Sequence, residues 1–128
     1  MKFLLVLLGG GIGSVSRYGV SLIAVKLLGT RFPWGTLIVN LTGCFLIGIC
    51  FALAERVTWF NASARLFMMT GFLGGLTTFS TFALETVVAE RKGTDPVSLA
   101  NFFANNVIGM IMVLAGIWLI QWIIKGRS

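Results

Sequence analysis

The chain has 128 residues, 57% hydrophobic and 11% charged, with a net charge of +6 and a mean hydropathy of +0.96. A soluble domain carries about 25% charged residues to keep a wetted surface, so this composition excludes one and points to a single domain dissolved in lipid. The positive charges stand mostly singly at the ends of apolar stretches, with no basic stripe interleaved with aromatics, which favours lipid headgroups over nucleic acid.

A bilayer core about 30 Å thick takes roughly 20 apolar residues as helix, and four stretches of the sequence qualify. The first spans about residues 3–28 and is interrupted by Arg17. Lys2 followed by an apolar run has the look of a signal peptide, but the run reads better as a first membrane helix. The segment Gly9-Gly10-Gly11-Ile12-Gly13-Ser14 resembles a phosphate loop only superficially. A dinucleotide fingerprint needs glycine where Ser14 stands, and a strand before it. Three roles stand open for Arg17: a lure for anions at a vestibule, a partner for Glu85, or a donor to carbonyls at a helix C-terminus.

The second stretch, about residues 35–54, holds no charge. Its one amide, Asn40, carries two N–H donors that suit an anion, and an interhelical hydrogen bond suits it equally. Cys44 and Cys50 lie six apart, about 600° of helical rotation, so they face different sides and carry no disulfide or metal signature.

The third stretch, about residues 66–89, is the most informative. Gly74-Gly75 is followed by four hydroxyl residues in five positions, Thr77, Thr78, Ser80 and Thr81. This is poor material for an unbroken helix, and a break is expected near Gly74 to Thr77. Carbonyls freed there need a cation or a cavity. Close packing is the competing account, because Gly71 and Gly75 also form a GxxxG spacing. Phe79 and Phe82 share a helix face, either as ordinary packing or as ring edges, whose positive rim can face an anion. Glu85 lies toward the far end.

The fourth stretch, about residues 97–124, contains Asn101, Asn105 and Asn106. Phe102, Asn106 and Gly109 fall on one face at i, i+4 and i+7. Each asparagine is either a donor to an ion or a bond between helices. Trp34, Trp59, Trp118 and Trp122 sit near segment ends, as an interfacial belt would place them. Asn61-Ala62-Ser63 has the spacing of a glycosylation acceptor, read here as fortuitous.

Four spans put both termini on one side. That side collects five cations (Lys2, Arg56, Arg65, Lys125, Arg127) and the other four (Lys26, Arg31, Arg91, Lys92). A chain with one fixed orientation shows a clear cytoplasmic excess. Near balance therefore points to insertion in both orientations and to an antiparallel homodimer, with a single orientation set by other cues as the alternative.

Three stretches, taken together, resemble one known family. Gly9 to Tyr18 (GGGIGSVSRY), Gly35 to Gly43 (GTLIVNLTG) and Gly71 to Phe82 (GFLGGLTTFSTF) are closely similar to the Fluc (CrcB) family of fluoride channels, and the similarity covers essentially the whole chain. It implies an all-α, multi-pass protein of the bacterial plasma (inner) membrane, with a broken third helix, assembled as an antiparallel, dual-topology homodimer. Two fluoride pathways would run through the dimer, exporting fluoride passively and giving fluoride resistance. The resemblance further implies a structural sodium ion on the backbone carbonyls of Gly74 and Thr77. It assigns Phe79 and Phe82 as the paired rings, Asn40 as the pore amide, Ser80 and Thr81 as a hydroxyl track, and Arg17 as the vestibule arginine. Phe102 and Asn106 stand where the family often has Tyr and Ser, so the Tyr hydroxyl is lost while Asn106 keeps a donor.

Two other classes of protein compete with this reading. A small proton-coupled exporter of organic cations matches the size, but it needs a carboxylate in its first membrane helix, where this chain offers only Arg17. A scaffold subunit would explain the glycines but not the hydroxyls, amides and phenylalanines gathered near the middle of the spans. An enzyme is disfavoured, since the chain contains no histidine and its sequence offers no nucleophile–base arrangement.

Overall fold

A computed structural model describes residues 1–126, so Arg127 of the loop-charge comparison lies outside the described residues. The architecture is all-α, with no strand among the described residues. Among the described residues, four helices are long and apolar enough to cross a membrane: α1, Lys2–Leu28; α2, Trp34–Arg56; α3, Ala62–Arg91; and α4, Asp95–Lys125. Each runs within a few residues of the expected stretch, because apolar length is what lipid selects.

Helix ends follow local chemistry. Gly29 closes α1 at φ 80, a left-handed conformation that glycine adopts without strain. Asn61 accepts from the Ala64 N–H at 3.1 Å, so the glycosylation-like triplet is a helix N-cap. In the turn before α4, Gly93 has φ 71, and the Thr94 hydroxyl donates to the Ala89 carbonyl at 2.6 Å. Asp95 then occupies the first turn of α4, where the helix dipole favours an anion.

α3 is not one helix. Its first half covers residues 62–76 and includes a π-helical stretch, Leu66–Leu73. The backbone is extended at Thr77 (φ −84, ψ 157) and Thr78 (φ −150, ψ 121). The second half resumes over Phe79–Arg91. The break thus falls at the hydroxyl run, at the end of the expected interval.

Both accounts of the glycines in α3 hold at once. The first half packs along α1 with almost no side chain between the backbones. A Cβ on Gly13 would collide with the Phe72 carbonyl oxygen, and one on Gly75 with that of Gly10. α2 lies against α4 by the same device, at Gly48 and Gly116. In lipid, association depends on such close approach rather than on hiding apolar surface from water. The second half of α3 packs chiefly on the first turns of α4.

The outer surface carries leucine, isoleucine, valine and the exposed tryptophans Trp59, Trp118 and Trp122. A small buried cluster of Val39, Cys50, Phe60, Leu73 and Leu76 forms the interior. The largest fully buried side chains are Val39 and Asn101, each 1% exposed, so an amide sits as deep as any apolar residue. Cys44 and Cys50 are both free thiols.

Gly13→Ala is expected to destabilise the bundle by about 1–3 kcal/mol through overpacking. Gly19→Ala, where a Cβ meets nothing within 4 Å, should change stability by less than about 0.5 kcal/mol. Thermal unfolding in detergent, followed by reaction of buried Cys50 with a thiol-specific fluorophore, would separate the two.

Candidate functional site

The site is built on the break. In a continuous helix the Thr78 N–H would bond the Gly74 carbonyl. Here it donates to Asn40 Oδ1 at 2.8 Å, and Asn40 Nδ2 donates to the Thr78 carbonyl at 3.1 Å. One side-chain amide from α2 therefore satisfies both polar groups of Thr78, as a neighbouring strand would. Thr77 is fixed separately. Its hydroxyl donates to the Leu73 carbonyl at 2.9 Å, and its methyl lies against Gly43 of α2, where a Cβ would strike it. The Thr77 carbonyl accepts from Arg17 Nη1 at 3.2 Å.

The second half of α3 is capped from within. The Thr78 hydroxyl oxygen accepts from the Thr81 N–H at 3.2 Å, and its proton goes to Thr81 Oγ1 at 3.1 Å. Ser80 Oγ lies 3.5 Å from the same hydroxyl. Phe79 and Phe82 meet edge to face, centroids 5.6 Å apart and planes at 60°. Phe82 is buried, whereas Phe79 is 77% exposed, and Ser80 and Thr81 are exposed beside it. Both rings line a cavity of about 330 Å³ that Asn40, Thr78, Asn105 and Asn106 also line.

Of the residues expected from sequence, Asn40, Gly74, Thr77, Phe79, Phe82 and Asn106 line this one cavity. Ser80 and Thr81 follow on the adjoining turn. Arg17 is directed at a carbonyl of the break, the third of its open roles. Glu85 is engaged elsewhere, its Oε1 accepting from the Thr36 hydroxyl at 2.8 Å. Its Oε2 is buried without a hydrogen-bond partner. Thr36 and Glu85 line a second cavity, of about 440 Å³, together with Arg31 and Lys92.

The fourth helix differs from its expected register. Asn106 Nδ2 donates back to the Phe102 carbonyl at 2.8 Å, while Asn105 meets Asn40: Asn40 Nδ2 donates to Asn105 Oδ1 at 2.8 Å. A π-helical turn over Ala104–Ile108 lies here, and it shifts side chains off the 100° spacing on which a face is read. Nδ2 of Asn40 thus makes bonds to both Thr78 and Asn105 in this structure, the interhelical one of its two open roles.

For Asn101 and Asn105 the interhelical alternative is the one seen. Asn105 Nδ2 donates to the carbonyl and to Oδ1 of Asn101, each at 2.9 Å. Asn101 Nδ2 donates to Thr86 Oγ1 at 2.9 Å, and the Thr86 hydroxyl donates to the Phe82 carbonyl at 2.8 Å. Both asparagines were visible in the sequence as amides inside an apolar span, and their i, i+4 spacing puts them within reach of each other. Nothing in the sequence pointed to Thr86.

An all-α bundle with a lipid-compatible exterior and, at a broken helix, a largely apolar cavity edged by amides and hydroxyls defines a multi-pass membrane protein with a site inside its spans. The chain belongs to the family described as CrcB-like protein, Camphor Resistance (CrcB), whose match covers residues 4–117. Its relatives include proteins named fluoride-specific ion channel FluC. The one from Parabacteroides distasonis is 44% identical over 117 residues, 91% of each chain. That from Salinibacter ruber is 44% identical over 116 residues, 91% of this chain and 86% of its own. That from Rhizobium etli is 47% identical over 120 residues, 91% and 94%.

Asn40→Leu leaves the Thr78 N–H and carbonyl without their partner, at a cost of about 1–3 kcal/mol for each orphaned group. Its thermal midpoint should fall clearly below that of the native chain, and an unchanged midpoint would contradict the role given to this amide.

Proposed function

We propose that this chain is a fluoride channel that lets fluoride leave the bacterial cell passively across the inner membrane. One observation carries the reading. The break in α3, with its ring pair and hydroxyls, lies in a chain more than two-fifths identical over about nine-tenths of its length to relatives named as fluoride-specific channels. The chemistry suits the ion. Fluoride is small and holds its water tightly, so a path through lipid has to replace that shell with oriented donors at close quarters. Ser80 and Thr81 hydroxyls, the Asn106 amide and the positive ring edges of Phe79 and Phe82 are such groups. Asn40 serves by holding the break open and by exchanging one engaged N–H for the ion. Arg17 contributes positive potential at the approach while it satisfies Thr77.

The same reading includes an antiparallel homodimer with two pathways. Hydroxyls facing hydrocarbon are unfavourable, yet Ser80 and Thr81 are exposed on the single chain beside a Phe79 that is 77% exposed. A second copy over that face removes the conflict, and the near balance of loop charges supports its opposite orientation. A structural sodium ion on the Gly74 and Thr77 carbonyls also belongs here. Gly74 is exposed and its carbonyl has lost the Thr78 N–H. The Thr77 carbonyl accepts one bond from Arg17 and keeps a second lone pair.

Liposomes carrying the protein should release fluoride and retain chloride, and Phe82→Ile should slow the release by about tenfold or more. Equal release of the two halides, or none, would sink the channel reading. Two arginines added to the loop at residues 57–61 should fix one orientation and abolish efflux alone. Co-expression with a chain biased the opposite way should restore it; full activity of the singly biased chain would exclude the antiparallel pair.

A further inference from the structure

We infer that Asn105, backed by Asn101 and Thr86, forms a positioning set that holds the Asn40 amide on Thr78. The assignment rests on the channel reading for what that site borders. The two ends of a side-chain amide have nearly the same shape and opposite hydrogen-bonding chemistry. Which end faces where must be dictated by partners whose own sense cannot change. Backbone groups are such partners, since an N–H only donates and a carbonyl only accepts.

The network has such an anchor at each side of the contact between Asn40 and Asn105. On one side, Thr78 turns Asn40 Oδ1 to its N–H at 2.8 Å and Asn40 Nδ2 to its carbonyl at 3.1 Å. On the other, the Asn101 carbonyl takes Asn105 Nδ2 at 2.9 Å, which turns Asn105 Oδ1 outward. Donor therefore meets acceptor where the two asparagines touch, at 2.8 Å. The agreement was imposed independently from α3 and from α4.

The set continues with the same consistency. Asn105 Nδ2 also reaches Asn101 Oδ1 at 2.9 Å, which leaves Asn101 Nδ2 to face Thr86 Oγ1 at 2.9 Å. The Thr86 hydroxyl spends its one proton on the Phe82 carbonyl at 2.8 Å. The route leaves α3 at Thr78, crosses α2 and α4, and returns to α3 at Phe82, tying the N-cap of the second half to its first turn through two other helices. Asn101 is 1% exposed, so a lost partner there cannot be replaced by water. Asn105 and Thr86 thus act through Asn40 and Phe82, as positioning residues.

The test is hydrogen–deuterium exchange on the full chain in nanodiscs, read at residues 77–79. Asn105→Leu and the isosteric Thr86→Val should speed exchange there by about tenfold or more, while Thr86→Ser, which keeps the hydroxyl, should match the native chain. Exchange across the glycine seam of α1 should stay native in all three. Native rates in Asn105→Leu would overturn the assignment. So would equal acceleration in Thr86→Ser and Thr86→Val, or acceleration spread evenly through α1, which would mark a general loss of stability. Exchange is read independently of ion flux, so a native chain that releases no fluoride would overturn the channel reading and leave this assignment in place.

Discussion

A peptide group released from a helix inside lipid has no water to turn to, and leaving it unpaired costs several kcal/mol. The break in α3 creates this problem at Thr78, and the amide of Asn40 meets it by accepting from the N–H and donating to the carbonyl. Much of the interior follows from this exchange. α2 must come close enough for a short side chain to reach the break, and Gly43 permits that approach by accommodating the Thr77 methyl. Arg17 supplies a donor to the neighbouring Thr77 carbonyl, so two consecutive residues of extended backbone are satisfied from two different helices.

The bundle consequently uses two kinds of adhesion. α1 and the first half of α3, like α2 and α4, meet through glycine at backbone-to-backbone distance, where dispersion is dense and side-chain entropy is not lost. The second half of α3 has little of this contact with α1 or α2. It is joined to α2 by the Thr36–Glu85 bond, and to α4 by packing reinforced with the Asn101–Thr86 and Ser98–Thr86 bonds. Steric contact fixes the scaffold, while directional polar contacts fix the half that carries the rings and hydroxyls.

How far the sequence could be read follows the same division. Four apolar lengths gave four spans, because lipid thickness constrains them directly. Gly74-Gly75 before a hydroxyl run gave the break, since those residue types both weaken a helix and offer substitutes for its bonds. Partner identity was much less accessible. Asn40 was visible as a polar residue in an apolar helix, but its commitment to Thr78 depends on how two distant segments approach. Asn106 stood out through the family resemblance, and it lines the cavity, but the contact of Asn105 with Asn40 depends on a π turn over residues 104–108 that no spacing rule anticipates. Thr86 looked like any threonine near a helix end. Its importance comes from a buried amide on the next helix that has nowhere else to donate.

The position of the asparagines along the chain has a consequence for biosynthesis. α1, α2 and α3 emerge from the ribosome before α4, and with them come both faces of the α1–α3 glycine seam and the Asn40 that closes on Thr78. Asn101 and Asn105 arrive only when the last helix enters the membrane. The broken helix is therefore first held by α1 and α2, and the bonds that tie its second half to α4 form only after the last helix has entered.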